Sequence, residues 1–389
     1  MKIHLHIFIS LLAIVLIGCI PFNSPSEPSG INNIGTQSFE LLDSNRLEWF
    51  TDDKDDFRRI MIQIWYPTKD KQGEKELYID HGDIRSKALA DYFGYKPFLF
   101  KNLTKIETNS FKNARPDLNQ KYPLIIFSHG LGGFRAQNTI MVEELASHGY
   151  VIVGIEHAYD ANVSVFNNGD IADYRSDSNF EQMNNSRPSP EEFWALRLPQ
   201  LKTRSADIDF VLNQIENEKL PQSIINIIDF ESIGVFGHSF GGATGIYSSY
   251  SDSRIDACVN LDGWMVPVPD NIINDGITQD FMYIGQKNWN EKLNYEKLNK
   301  FIESNSSSSK ILIPGTTHYD YSDTPYMSSA AKLLKKSGNL ENEKLKNILN
   351  ELILSFFNKN LKDKKLMTEY YDLASKYEIS VIVEEYRDQ

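Results

Sequence analysis

Residues Gly237-His238-Ser239-Phe240-Gly241-Gly242 set a serine between glycines directly after the apolar run Ile233-Gly234-Val235-Phe236. Gly-x-Ser-x-Gly at the end of a strand marks a sharp strand-to-helix turn. On such a turn the serine hydroxyl stands clear of the backbone, with a base on one side and a substrate on the other. The glycines suit a turn that brings strand and helix too close for a Cβ. Residues 242–246, Gly-Ala-Thr-Gly-Ile, can open a helix whose N-terminal amides face the site. An ordinary glycine-rich turn has the same letters, so the partners decide. A serine nucleophile needs a base and a group that orients the base. In the chain order serine, acid, histidine, Asp262 follows Ala257-Cys258-Val259-Asn260-Leu261, and His318 follows Ile311-Leu312-Ile313-Pro314 on a Gly-Thr-Thr loop. Each lies just past an expected strand, where an open α/β sheet places its working residues. Glu291, past the strand after that of Asp262, is a second candidate for the acid.

A second glycine cluster, Phe127-Ser128-His129-Gly130-Leu131-Gly132-Gly133-Phe134-Arg135, follows an earlier apolar run. Acyl transfer at a serine builds negative charge on the carbonyl oxygen. Two backbone amides can bind that charge: the one after the nucleophile, here Phe240, and one from such a loop, here Leu131. His129, His157 and His238 also fall near the sheet's working edge and read as structural. No spacing of His, Asp or Glu suggests a metal site, and no cofactor is expected. Cys258, inside an apolar run, reads as a small core residue. Tyr92, Phe93, Tyr95, Phe98, Leu99 and Phe100 form an aromatic cluster. It suits a lipid-facing lip, an acyl pocket or plain core packing.

These groups need a frame. Arg59–Tyr66 alternates isoleucine on one face and stops at Pro67, a strand pattern. Residues 124–127 and 151–155 are continuous apolar runs, as in parallel strands buried on both faces. Shorter runs at 232–236, 257–261, 281–285 and 310–313 continue the series. Helical patterns lie between them at 141–148, at Leu201, Ile208, Val211, Leu212 and Ile215, and at Leu345, Ile348, Leu349, Leu352, Ile353 and Phe356. The alternation predicts an α/β fold, a doubly wound, mostly parallel sheet with helices on both faces. There is no internal repeat. One domain over 46–389 is expected, with insertions at 68–121 and 160–195, the second polar and loop-like, and an edge strand near 379–383.

The chain has 389 residues, a net charge of −13 and two cysteines, Cys19 and Cys258. An acidic chain without basic clusters is a poor partner for nucleic acid. Lys2 and the eleven-residue apolar run Ile7–Ile17 fit a secretory signal, because spanning a bilayer takes roughly 20 residues. Leu16-Ile17-Gly18-Cys19 resembles a bacterial lipobox, which makes Cys19 the expected lipidation site. Residues 1–18 are then a lipoprotein signal peptide and 19–45, rich in Pro, Ser and Asn, a flexible tether. The expected location is the bacterial cell envelope, anchored to a membrane surface and facing outside the cytoplasm.

Residues 127–135, 237–244 (Gly-His-Ser-Phe-Gly-Gly-Ala-Thr) and 261–265 (Leu-Asp-Gly-Trp-Met) together resemble the plasma-type platelet-activating factor acetylhydrolases. Glu156-His157 and the His318 loop fit as well, and the likeness runs from Ile62 to Phe357 with gaps. The resemblance implies an α/β-hydrolase fold and calcium-independent hydrolysis of short or oxidised sn-2 acyl chains of phospholipids. It implies Ser239 as nucleophile, Asp262 rather than Glu291 as acid, His318 as base, and Leu131 and Phe240 as oxyanion donors. Gly263 and Val266 depart from the bulkier residues expected beside the acid, and 160–195 has no counterpart. Two further readings stand beside this one. The first is a broad-range carboxylesterase on short soluble esters or polyesters. The second is a catalytically silent surface lipoprotein, against which the intact set of residues argues.

Overall fold

A computed structural model describes residues 20–176, 189–305, 307–362 and 372–387. Its strands are β1 (Asn33–Leu47), β2 (Phe57–Thr68), β3 (Lys75–Leu77), β4 (Glu107–Lys112), β5 (Tyr122–Ser128), β6 (Val151–Glu156), β7 (Val163–Val165), β8 (Ile171–Asp173), β9 (Ile228–His238), β10 (Ala257–Leu261), β11 (Asp280–Gln286), β12 (Ser307–Ile313) and β13 (Ile382–Arg387). Eleven form one sheet in the order β13-β12-β11-β10-β9-β5-β6-β2-β1-β4-β3, and β7 and β8 form a separate hairpin. From β12 through β6 neighbouring strands are parallel, and β13 and β2 close this block antiparallel on its two sides.

The apolar runs are unbroken because both faces of each central strand are covered. Along β5, Leu124 and Ile126 point into one core and Ile125 and Phe127 into the other. Helices α2 (Thr139–Ser147) and α6 (Asn342–Lys362) cover the second face, with Met141, Leu145, Ile348 and Leu352. Helices α3 (Pro190–Glu216), α4 (Phe240–Ser251) and α5 (Lys292–Glu303) cover the first, with Leu201, Ile208, Ile246 and Phe301. Each such buried aliphatic or aromatic side chain contributes about 1.5–3 kcal/mol. The architecture is the doubly wound, mostly parallel sheet of an α/β-hydrolase fold, with helices on both faces.

Two expectations are corrected. From residue 20 onward the stretch expected as a tether is packed. Ile20 N donates to Leu99 O at 2.8 Å, Asn23 N to Met327 O at 2.8 Å and Asn32 Nδ2 to Ser147 O at 2.9 Å. Ile20 and Ile34 are buried, and 33–47 is strand β1, paired along β2. Its Ser and Asn side chains read as linker, yet they satisfy helix carbonyls and neighbouring carboxylates while a few apolar residues anchor the segment. Residues 160–195 are not simply loop: 163–173 form the β7–β8 hairpin, and Ser189 caps α3 with a reciprocal Ser189–Glu192 pair. Insertion 68–121 holds α1 (Gly82–Tyr92) and a 3₁₀ segment, Pro97–Lys105, beside the site. Residues 1–18, Cys19 and part of the second insertion lie outside the described residues. Among those described, no helix is long and apolar enough to cross a membrane.

Candidate active site

Strand β9 delivers Ser239 to the N-terminus of α4 with φ 58° and ψ −121°. This conformation is costly for a residue with a Cβ and is kept only where the surroundings enforce it. Here the enforcement is contact. A Cβ on Gly237 would lie 2.2 Å from Gly241 O, and one on Gly241 would lie 2.0 Å from Ser128 O. Only glycine lets the elbow close against β5.

Parallel pairing then sets the partners in line. Asp262 follows β10, the neighbour of β9, and His318 lies in the loop after β12. Ser239 Oγ is 2.9 Å from His318 Nε2, and His318 Nδ1 is 2.7 Å from Asp262 Oδ2. Asp262 is fully buried, yet its carboxylate accepts from Gln286 N at 2.9 Å, Gln286 Nε2 at 2.8 Å and Trp289 Nε1 at 3.1 Å. These donors fix the carboxylate in place, so that it can hold the imidazole with Nδ1 protonated. Glu291, the other candidate acid, instead accepts from Trp264 Nε1 at 3.1 Å. Burial first, and then the Asp262 charge, push the Tyr283 phenol well above its ordinary range.

On the other side of Ser239 lies the loop after β5. Gly130 N donates to Gln137 Oε1 at 3.0 Å, Gly132 N to Asp160 O at 2.9 Å and Gly133 N to Gly130 O at 3.1 Å. Among the described residues neither Leu131 N nor Phe240 N has an intramolecular acceptor. The Phe240 amide is one of the orphan donors of a helix's first turn. The loop is braced from above by Tyr92, whose hydroxyl donates to Leu131 O at 3.0 Å. Gly132, at φ 68°, faces the same ring; a Cβ there would meet it at 2.0 Å. The cavity so formed holds about 420 Å³ and is lined by Ser239, His318, Leu131, Trp264, Trp289 and Tyr319 among others.

Beneath this loop is a second Ser–His–Asp line. Ser128 Oγ is 2.9 Å from His157 Nε2, and His157 Nδ1 is 2.9 Å from Asp207 Oδ2. All three are fully buried, so no substrate reaches them. Arg58 pairs with Asp207 at 2.6 Å, Arg204 Nη1 donates to His129 O at 2.7 Å, and Arg204 Nε holds Asp160 at 2.6 Å. Burial outweighs the Asp207 contact and lowers the His157 pKa to about 4. The cluster fixes the loop from below. His129 and His157 are therefore structural, as the sequence suggested.

His238 also turns away from Ser239 Oγ. Its Nε2 faces His318 O at 3.0 Å and its Nδ1 faces Gln137 Nε2 at 2.9 Å. The sequence reading missed Gln137, Gln286 and Trp289, for isolated amide and indole side chains carry no signature of their own. It also missed Phe193, which packs edge-on against Trp264 at 5.7 Å in the part of α3 taken for loop. Cys258 is buried with its thiol pushed up by burial to about 12, in keeping with a core residue. Among the described residues no group of His, Cys, Asp and Glu could hold a metal.

A family model described as platelet-activating factor acetylhydrolase, isoform II, matches residues 48–378. The platelet-activating factor acetylhydrolase of Cavia porcellus is 26% identical over 323 residues, covering 77% of this chain and 72% of the relative. A probable 1-alkyl-2-acetylglycerophosphocholine esterase of Arthroderma benhamiae is 27% identical over 219 residues, covering 54% and 51%. The solved structure of a ferulic acid esterase from Streptomyces cinnamoneus superposes with a TM-score of 0.72 at 22% identity, covering 89% of this chain and 96% of that one. At that identity it speaks for the fold alone.

Proposed function

Given that this chain belongs to the platelet-activating factor acetylhydrolase family and is a carboxylic ester hydrolase, we propose that it is a serine esterase that removes short or oxidised sn-2 acyl chains from phospholipids. The observation that carries the reading is the unbroken hydrogen-bonded line Ser239–His318–Asp262, with two unpaired amides on the far side of the hydroxyl.

His318 Nε2 takes the proton of Ser239 as Oγ attacks the ester carbonyl. Asp262 holds Nδ1–H and balances the imidazolium that forms. Charge on the carbonyl oxygen develops toward Leu131 N and Phe240 N, each donor contributing about 3–4 kcal/mol at the transition state. His318 then returns its proton to the leaving alcohol, and the acyl group stays on Ser239. Water, deprotonated by the same imidazole, attacks the acyl-enzyme and regenerates the serine. The test is Ser239→Ala, which should lose ester turnover and fluorophosphonate labelling while melting like the unmodified chain. Labelling retained at another residue would remove Ser239 from the role.

The lipobox-like Leu16-Ile17-Gly18-Cys19 supports a further part of the reading: the enzyme is a lipoprotein of the bacterial cell envelope, held to a membrane through Cys19 and acting outside the cytoplasm. Cys19→Ser should move the protein to the soluble fraction. A variant that stays with the membrane after its signal is removed would overturn the anchor.

A further inference from the structure

A second cavity of about 100 Å³ opens beside the catalytic one, and Tyr78, Leu89, Phe93, Phe134 and Thr324 line both. An aromatic path leads into it from the base. The Tyr319 ring, next in sequence to His318, lies 5.7 Å from Phe93, Phe93 lies 6.3 Å from Phe100, and Phe100 lies 5.5 Å from Phe22. The far wall is Ile20, Phe22, Phe100, Leu103 and Met327. Ile20 and Phe22 come from the opposite end of the sequence, in the segment expected to be tether. Polar atoms at the wall are already engaged: Tyr78 donates to the Asp323 carboxyl and Ser328 Oγ to Pro21 O. One charged side chain also lines the space: Lys336, whose Nζ lies over the Phe93 and Tyr319 rings at 5.4 and 5.2 Å. Most of the remaining wall is hydrocarbon.

We propose that this cavity receives the acyl chain of the ester, and that Ile20 and Phe22 close its end and so limit the chain length the enzyme accepts. The inference rests on the ester-hydrolase reading and names the acyl subsite within it. The alcohol half of a phospholipid carries a phosphate and a second chain, too large and too polar for an apolar recess; only the acyl half is small and apolar enough. A protein cavity of about 150 Å³ takes a six-carbon ring, so this one takes about four carbons.

The experiment compares kcat/KM for p-nitrophenyl acetate, butyrate, hexanoate and octanoate, in the unmodified chain, Phe22→Ala, Phe100→Ala and Ala331→Phe, with fluorophosphonate labelling to report an intact site. Ala331 lines the cavity, so phenylalanine there fills it. The unmodified chain should drop about tenfold or more from butyrate to octanoate. Phe22→Ala and Phe100→Ala should raise the octanoate-to-butyrate ratio by about tenfold, and Ala331→Phe should lower the butyrate-to-acetate ratio by a similar factor. The two kinds of variant act in opposite directions, so misfolding of one leaves the other to decide. Ratios unchanged within about twofold in variants that still label would overturn the proposal. So would the same shifts appearing with acetates of longer alcohols rather than with longer acids. Failure of the unmodified chain to cleave any ester is a different result, and it removes the esterase reading itself.

Discussion

His238 Nε2 lies 3.0 Å from the backbone oxygen of His318. That oxygen can only accept, so Nε2 carries the proton and Nδ1 accepts from Gln137 Nε2 at 2.9 Å. Gln137 Oε1 in turn accepts from Gly130 N at 3.0 Å. His238, the residue before Ser239, thus ties the loop of His318 to the loop of Leu131. Burial, then the neighbouring His318, hold the His238 imidazole well below its ordinary range, so the tie is made by a neutral ring.

Gln137→Ala should break this tie. It leaves Gly130 N and His238 Nδ1 without partners, a loss of about 1–3 kcal/mol for buried polar groups. A small displacement of both loops should lower kcat by about ten- to a hundredfold with KM little changed. Steady-state kinetics on a short nitrophenyl ester will show whether kcat moves; a fall in melting temperature with kcat intact would mean a merely structural role.

The two acids are separable. Asp262→Asn should reduce kcat by about ten-thousandfold, since the imidazole then favours the wrong tautomer. Glu291→Gln, which weakens only a bond to the Trp264 indole, should cost less than about tenfold. Comparable losses in the two variants would return the acid's identity to an open question.

Likewise the two Ser–His–Asp lines. Ser128→Ala should leave a single fluorophosphonate adduct at Ser239, and should lower stability by about 1–2 kcal/mol through the lost bond to His157. Asp207→Ala should cost about 3 kcal/mol, because it removes one of the two buried carboxylates that pair with Arg58 and leaves the guanidinium only Glu48. Peptide mapping of the adduct and denaturant melts check both; an adduct on Ser128 would contradict its burial.

Acid should weaken the fold through its buried histidines. Burial depresses His129, His157 and His238, His157 to about 4. The unfolded chain takes up these protons below the ordinary value of 6.5, while the folded chain resists, so the unfolded state binds more protons and stability falls as pH drops from 6.5 toward 4. His157 alone accounts for about 3 kcal/mol of that loss. Asp323 and Glu143, raised by burial, act in the opposite sense. The comparison that isolates the histidine is therefore His157→Gln, whose urea midpoint should fall less between pH 7 and pH 4; equal slopes would refute the assignment.

The site was legible where chemistry leaves a pattern in sequence. Ser239 and the glycines around it are dictated by close backbone contacts, and Asp262 and His318 by strand ends, so each could be named before any geometry. Buried parallel strands were legible for a similar reason: two covered faces require unbroken apolar runs. The first part of β1 was not, because Ser38 and Glu40 alternate with inward residues at the sheet's periphery, and polar composition there means an exposed face as readily as a linker. What supports the Ser239–His318–Asp262 line was not legible either. Gln137, Gln286 and Trp289 act by position, and position comes from pairings across 24 to 101 residues of chain.

The docking of residues 20–32 removes the slack between Cys19 and the catalytic body. With a lipid on Cys19, the enzyme would not sweep a volume above the bilayer as on a long leash. Ile20 stands in the wall of the recess beside Ser239, so the anchor and the reactive hydroxyl would share one side of the molecule. Substrate would then be met by diffusion in two dimensions, and the rate would follow the ester's mole fraction in the leaflet. Diluting it with an inert lipid at constant bulk concentration should slow the lipidated enzyme and leave hydrolysis of a soluble ester untouched.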